Sequence, residues 1–98
     1  MESKQVFFIG KVQGVYFREN AMDKAIELNL NGFVRNLSNG QVEMIVQGNK
    51  KKIDNLIEFC KNNQPYAKVN NLNVKTIDIN EKYSNFIIEK TKQTKDLK

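Results

Sequence analysis

The strongest constraint on the fold of this chain is an Asn-Gly pair near its middle. Asn39 and Gly40 both tolerate the positive φ angles that the tight turn of a β-hairpin requires. Residues 32–37 before the pair and residues 41–48 after it are rich in β-type residues. In the second of these segments one face is apolar and the other mixed, as in a strand with one buried face. The pair therefore predicts an antiparallel hairpin at the centre of the chain.

A helical segment is predicted on each side of this hairpin. Residues 19–30 carry apolar side chains along one stripe of a helix, and Asn29 is expected to end that helix in a left-handed conformation. Residues 49–62 place apolar side chains at i, i+3, i+4 and i+7, and they begin with Asn49, the expected N-cap. The hairpin thus stands between two amphipathic helices.

Further β-type segments lie towards both ends of the chain, at residues 4–12, 72–79 and 85–90. In the middle one the apolar phase slips between Val74 and Ile77, which predicts a bulge there. The complete order is β-α-β-β-α-β with an extra C-terminal strand. It predicts a ferredoxin-like α/β sandwich of the α+β class, in which two helices cover one face of an antiparallel sheet.

The length of 98 residues suits one compact domain. We assign residues 1–90 to it and expect residues 91–98 to form a disordered, lysine-containing tail. No apolar run approaches the roughly 18 residues of a membrane span. Cys60 is the single cysteine, so an internal disulfide is impossible and a reducing compartment is expected. We expect a monomeric, cytoplasmic protein without membrane contact.

The absence of histidine narrows the chemistry that this chain can perform. Ser-His-Asp and Cys-His catalysis are excluded, as are zinc sites built from histidine or from several cysteines. Any reaction must use arginine, amides, carboxylates, hydroxyls or backbone groups. The net charge of +5 is spread over scattered lysines, which favours a solvated surface over a nucleic-acid-binding stripe.

The segment GKVQGVYFREN, residues 10–20, joins the first strand to the first helix through a glycine-containing loop. Gly14 allows consecutive amides to face inward, and a helix N-terminus offers unpaired N–H groups to an anion. Arg18 adds a permanent charge and a planar fork that suits two phosphate oxygens. Of sixteen basic residues only Arg18 and Arg35 are arginines, which favours a need for the fork at position 18. The alternative is that Arg18 merely pairs with Glu19 or another nearby carboxylate.

Two motifs in this chain resemble those of the acylphosphatase family. GKVQGVYFR, residues 10–18, is similar to the first signature of the family, and GFVRN, residues 32–36, is similar to the second. The resemblance covers about residues 5 to 90. The chain departs from the family at Phe33, where tryptophan is common, and at Asn29, where a helix-ending glycine is common.

The resemblance implies an enzyme that hydrolyses the carboxyl-phosphate bond of small acyl phosphates without a metal or other cofactor. Arg18 and the loop amides would hold the phosphate, and Asn36 would position the attacking water. Inorganic phosphate or sulfate would compete for the same place. Backbone groups of six residues would form the phosphate-binding loop: Gln13, Gly14, Val15, Tyr16, Phe17 and Arg18.

This activity agrees with the lack of histidine. The leaving group of an acyl phosphate is a carboxylate, whose conjugate acid has a pKa near 4, so its departure at neutral pH needs no general acid. Asn36 also has a purely structural interpretation, because an asparagine just before a hairpin often only bonds to the backbone. The residues alone favour that alternative, and the catalytic role of Asn36 comes from the resemblance.

Several neighbouring residues are predicted to have structural roles. Gln13 is expected to brace the loop, Tyr16 to form its rim, and Phe17 to pack in the core. Arg35 lies on the opposite strand face from Asn36 and is expected to be structural. Cys60 lies on the apolar stripe of its helix and is expected to be a core residue and not a nucleophile.

Two other functions remain open from the sequence. RNA-recognition domains share this element order, and FFIGKV, residues 7–12, looks like their first-strand signature with Phe8 in the aromatic position. Base stacking also needs aromatic residues on the third strand, where this chain has Glu43. The second alternative is a phosphate-binding module that keeps the loop but performs no hydrolysis.

Overall fold

A computed structural model of the protein describes residues 1–96. The strands and helices follow one another in the predicted order, and a short 3₁₀ helix follows the last strand. The elements are β1 (Glu2–Lys11), α1 (Phe17–Glu27), β2 (Asn31–Asn36), β3 (Val42–Gly48), α2 (Lys50–Asn62), β4 (Lys68–Thr76), β5 (Phe86–Ile88) and the 3₁₀ helix Thr94–Asp96. Among the described residues, no helix is long and apolar enough to cross a bilayer.

The five strands form one sheet in the order β4-β1-β3-β2-β5. The β1–β3, β1–β4 and β2–β3 pairs are antiparallel, whereas β5 runs parallel to β2. The two helices pack against each other on the same side of the sheet. The predicted ferredoxin-like α+β sandwich is therefore confirmed, with the difference that the extra C-terminal strand makes the sheet mixed.

The core lies between the helices and one face of the sheet. Register partners on this face are fully buried apolar residues, as in the Phe8–Val42 and Val34–Met44 pairs. Burial of one such side chain contributes about 1.5–3 kcal/mol. The helices close the core with residues of the predicted stripes: Ala21 and Ala25 from α1, and Ile53, Leu56 and Cys60 from α2. Ile26, which was expected to widen the stripe of α1, is exposed.

The predicted helix ends are confirmed at two asparagines. Asn29 has φ 58°, and the Leu30 N–H donates to the Ala25 carbonyl oxygen at 2.9 Å. The Asn29 N–H donates to the Ile26 carbonyl oxygen at 3.0 Å, which completes a Schellman motif. At the start of α2, the Asn49 side chain accepts from two backbone N–H groups of the first turn.

Strand β4 differs from its prediction in both position and irregularity. It spans Lys68–Thr76 instead of residues 72–79, and its register shifts opposite Ile9 and Gly10, where Asn70 is skipped. The predicted bulge between Val74 and Ile77 is therefore misplaced. A Cβ atom on Gly10 would collide with the Lys68 carbonyl oxygen, so glycine permits this close approach.

The segment after β5 continues along the end of β2. Lys92 forms a parallel bridge with Leu37, and the Lys92 N–H donates to the Asn36 carbonyl oxygen at 2.9 Å. Ser38 bonds to Thr94 through its hydroxyl group. The disordered tail predicted for residues 91–98 thus differs from the structure over residues 92–96. The last two residues of that prediction, 97 and 98, lie outside the described residues.

Candidate active site

The loop between β1 and α1 contains two residues in the left-handed region. Gly14 has φ 72° and Tyr16 has φ 62°. Tyr16 is also the N-cap of α1, and no side chain of the described residues caps this end of the helix. The first amides of α1 therefore keep the open donors of a helix N-terminus. A non-glycine residue in the left-handed region costs roughly 1–2 kcal/mol, and such strain is concentrated at functional sites.

These left-handed residues shape a pocket of about 240 Å³ at the start of α1. The loop supplies one wall and the first turn of the helix supplies the other. The pocket is lined by Val12, Gly14, Tyr16, Phe17, Arg18 and Glu19. It combines backbone donors, the positive end of a helix dipole and one guanidinium group, which together suit an anion.

Arg18 is half-buried in this pocket. Within residues 1–96 its guanidinium forms no ion pair and no hydrogen bond with another side chain. Arg18 therefore does not pair with Glu19 or another carboxylate of the described residues, which was the alternative left open by the sequence. All donors of the fork remain available on the pocket side of α1.

Gln13 connects the loop to the β2–β3 hairpin. Its Nε2 donates to the Leu37 carbonyl oxygen at 2.8 Å and to the Gln41 carbonyl oxygen at 2.9 Å. The prediction that Gln13 braces the loop is confirmed. Because Leu37 directly follows Asn36, this brace also brings the end of β2 to the loop.

Asn36 is the last residue of β2, on the helix-covered face of the sheet. It lies opposite Val42, which lies opposite Phe8, and directly opposed residues of antiparallel strands project to the same face. The Asn36 Oδ1 atom is buried and has no hydrogen-bond partner within the described residues. The oxygen atom of this side chain therefore does not bond to the backbone of the described residues, as the structural alternative for Asn36 would require.

Gln64 and Asn20 support the same helix turn and were not predicted from the sequence. The Gln64 Nε2 donates to the Phe17 carbonyl oxygen at 3.1 Å, and the Asn20 Nδ2 donates to Gln64 Oε1 at 3.2 Å. Gln64 is buried although it lies in the loop before Pro65. Since 47 residues separate Gln64 from Phe17, no local pattern in the sequence indicates this contact.

Three further residues have the structural roles that were predicted. Phe17 is buried with its ring centroid 5.0 Å from that of Phe8, and Tyr16 is exposed at the edge of the loop. Cys60 is buried, and loss of solvent around its thiol raises the pKa of Cys60 to about 12. A thiol with this pKa is not a nucleophile at neutral pH.

Arg35 belongs to a different cluster on the other face of the sheet. Its Nε and Nη2 atoms lie 2.8 Å from Glu43 Oε1, and its guanidinium stacks over Phe33 at 4.8 Å. Gln5 donates to the second oxygen of Glu43 at 2.7 Å. The structural role predicted for Arg35 is confirmed. This buried carboxylate also occupies the place where an RNA-stacking aromatic residue would be needed.

Comparisons with known proteins agree with this architecture. The acylphosphatase family model matches residues 4–88. An acylphosphatase of Methylococcus capsulatus is 36% identical over 88 residues, which cover 90% of this chain and 96% of that relative. An acylphosphatase of Coxiella burnetii is 47% identical over 77 residues, which cover 79% of this chain and 80% of that relative.

The solved structures extend the similarity to the backbone. The crystal structure of acylphosphatase from Bacillus subtilis superposes with a TM-score of 0.86 at 30% identity, covering 91% of this chain and 99% of that chain. This protein therefore belongs to the acylphosphatase family.

Proposed function

We propose that this protein hydrolyses the carboxyl-phosphate bond of small acyl phosphates to a carboxylate and inorganic phosphate. The observation that carries the proposal is the guanidinium of Arg18, which has no side-chain partner among residues 1–96 and lies in a pocket with a left-handed loop and a helix N-terminus without a side-chain cap. The names of the family relatives support the same reaction.

Phosphate binding is assigned to the loop and to Arg18. The amides of residues 13–18 and the guanidinium surround the phosphate oxygens, with Gln13 holding the loop in place. One charge pair at about 4 Å contributes roughly 4 kcal/mol at an effective dielectric constant near 20. Inorganic phosphate and sulfate carry the same oxygens, so both compete with the substrate.

Asn36 is assigned the role of positioning the attacking water. Its buried Oδ1 atom has no hydrogen-bond partner in the described part of the chain, and leaving such an atom unsatisfied costs about 1–3 kcal/mol. In the proposed mechanism a water that donates to this atom satisfies it and attacks the phosphorus held by the loop, although Asn36 itself does not line the pocket of Arg18. Phosphoryl transfer through a loose transition state depends mainly on such positioning and on charge stabilisation.

The proton transfers of the proposed reaction need no acidic or basic side chain. The water oxygen forms a bond to phosphorus while the bond from phosphorus to the carboxylate oxygen breaks. The carboxylate leaves as a stable anion, and the proton of the water passes to a phosphate oxygen. We further propose that the protein acts as a monomer in the cytoplasm, since its single Cys60 is buried in a core that closes within one chain.

The test is to incubate the purified protein with acetyl phosphate, with and without a chelator, and to measure phosphate release. We expect hydrolysis in both cases, with none above the uncatalysed rate in Arg18→Ala. Asn55→Ala removes an exposed amide on α2 and serves as a control that keeps full activity. Absence of hydrolysis by the unmodified protein would refute the proposal, and loss of activity with the chelator would refute a metal-free mechanism.

Asn36→Ala separates an enzyme from a module that only binds phosphate. Turnover should fall by on the order of a hundredfold or more, as on removal of a preorganised polar group, whereas calorimetry should show unchanged phosphate binding. Full activity in this variant would exclude the water-positioning role. Unmodified protein that binds phosphate without hydrolysing acetyl phosphate would instead be the non-catalytic module.

A further inference from the structure

A second pocket adjoins the pocket at the start of α1, which is here called the phosphate pocket. Its volume is about 340 Å³, and it is lined by Lys11, Gly14, Val15, Tyr16 and Tyr66. Gly14 and Tyr16 line both pockets, so the two share a boundary. An acyl phosphate bound through its phosphate must project its acyl group out of the first pocket, and this second pocket is adjacent space for it.

Two exposed tyrosines form the aromatic part of this pocket. Tyr16 is 67% exposed and Tyr66 is 66% exposed. Their ring centroids lie 6.4 Å apart in an edge-to-face arrangement. Rings at this separation still offer most of their surface to a third planar group, and aromatic contacts favour edge-to-face or offset geometry.

The backbone holds both tyrosines against the same turn of α1. Tyr16 immediately precedes Phe17 and is in the left-handed conformation. Tyr66 lies two residues after Gln64, whose side chain donates to the Phe17 carbonyl oxygen. The pocket is therefore positioned by the same helix turn that carries Arg18.

The charge of the residues that line the second pocket limits which acyl groups it can bind. Lys11 is the only charged residue among those that line this pocket, and no carboxylate is present there. On the side of the loop, a Cβ atom added to Gly14 would have no heavy atom within 4 Å, so the wall next to the phosphate pocket is open. The two aromatic rings suit a planar apolar group, and the positive charge of Lys11 favours a neutral or anionic acyl group over a cationic one.

We propose that this pocket binds the acyl half of the substrate and that Tyr66 is a specificity-determining residue that favours aromatic acyl phosphates over small aliphatic ones. The proposal rests on the proposed function, because the reacting bond must lie in the phosphate pocket. The reaction itself is unchanged, and the ring packs against the exposed surfaces of Tyr16 and Tyr66 while the phosphate remains with the loop.

The experiment compares benzoyl phosphate with acetyl phosphate in the unmodified protein, Tyr66→Ala and Tyr66→Phe. We expect Tyr66→Ala to lower kcat/KM for benzoyl phosphate by about three- to tenfold, mainly through KM, as for loss of one aromatic contact. Its kcat/KM for acetyl phosphate should stay within about twofold, and Tyr66→Phe should behave as the unmodified protein. Ile26→Ala truncates an exposed side chain elsewhere on α1 and is the matched control.

Binding of two non-hydrolysable probes separates this inference from the proposed function. Phenacylphosphonate and acetonylphosphonate replace the bridging oxygen of the two substrates by a methylene group. Tighter binding of the phenacyl probe that is lost in Tyr66→Ala supports the pocket, even if neither substrate is hydrolysed and the proposed function fails. Equal affinity for both probes, or equal loss of both in Tyr66→Ala, would overturn the inference while hydrolysis of acetyl phosphate still upheld the function.

Discussion

Arg18 and Arg35 are chemically identical but have different surroundings. The guanidinium of Arg35 is paired with Glu43 and stacked over Phe33. The guanidinium of Arg18 has no such partner within residues 1–96 and lies beside helix amides. A planar fork with free donors suits two oxygens of one phosphate, so charge alone does not explain the arginine at position 18.

Exchange of each arginine for lysine tests this difference. Arg18→Lys keeps the charge and removes the fork, so we expect phosphate affinity to fall by about tenfold or more, equivalent to about 1.4 kcal/mol. The matched change Arg35→Lys should leave phosphate affinity unchanged and lower the free energy of unfolding, because it disturbs the pair with Glu43. Calorimetric titration with phosphate and urea denaturation measure the two effects. Equal phosphate affinity in Arg18→Lys would contradict a role for the fork.

The burial of Cys60 predicts a pH dependence of stability. Burial raises the pKa of its thiol to about 12 from an ordinary value of 9.0, so the folded protein holds this proton more tightly than the unfolded chain does. Its contribution to stability is fully present below about pH 9 and is lost as the pH rises towards 12. The free energy of unfolding, measured in urea, should fall less steeply over this range in Cys60→Ala. Parallel slopes for the two proteins would contradict the prediction.

The two helices differ in how their ends are satisfied. The N-terminus of α2 is capped by the Asn49 side chain, which accepts from two amides of the first turn. The N-terminus of α1 begins at the left-handed Tyr16 without a side-chain cap. The C-terminus of α1 is closed by the Schellman motif around Asn29. Only α1 thus presents open amides to its loop, which supports the proposed phosphate site at this helix.

Asn29→Gly tests the energetics at the end of α1. Asn29 has φ 58°, a conformation that glycine adopts without the steric penalty of a side chain. We expect this substitution to raise the free energy of unfolding by about 0.5–1 kcal/mol and Asn29→Ala to lower it. Urea denaturation at equilibrium measures both changes, while hydrolysis of acetyl phosphate should be unaffected. Destabilisation by glycine would mean that the Asn29 side chain contributes more than its backbone conformation.

At the scale of the whole molecule, long-range contacts assemble the site. Gln13 contacts carbonyl oxygens 24 and 28 residues further along the chain, and Gln64 contacts a helix 47 residues before it. The fold thereby links the loop, the hairpin end and the first turn of α1. A ligand that binds this arrangement in the folded state alone must stabilise the entire domain.

Phosphate binding should therefore raise the thermal midpoint of unfolding. At a phosphate concentration a hundred times its Kd, the stabilisation is about 2.7 kcal/mol, and each kcal/mol raises Tm by roughly 4–8 °C for a domain of this size. Arg18→Ala should show no such shift, whereas Asn36→Ala should show it in full. Calorimetric scans at constant ionic strength measure Tm, with chloride as the control anion. An equal shift in Arg18→Ala would indicate that phosphate acts elsewhere.

Much of the fold follows from local patterns in the sequence. The hairpin, the cap at Asn49 and the helix end at Asn29 depend on residues within one turn of each position. In the hairpin turn Gly40 has the expected positive φ, 93°, whereas Asn39 does not. The loop with Gly14 and Arg18 has the same local character. The start of β4 was not predictable, because its register depends on how closely Gly10 in β1 lets a distant backbone approach.

The sequence by itself thus determined the order of the elements, the cap at the start of α2, the helix end at Asn29, the loop and the resemblance to the family, whereas α1 begins at Phe17 and not at residue 19. The tertiary structure alone decided the register of β4, the parallel direction of β5, the contact of Lys92 with Leu37, and the pairing of Tyr16 with Tyr66. The physical reason is the range of the interactions. Turn, cap and periodicity preferences act over a few neighbouring residues, whereas these contacts join residues that become neighbours only when the sheet forms.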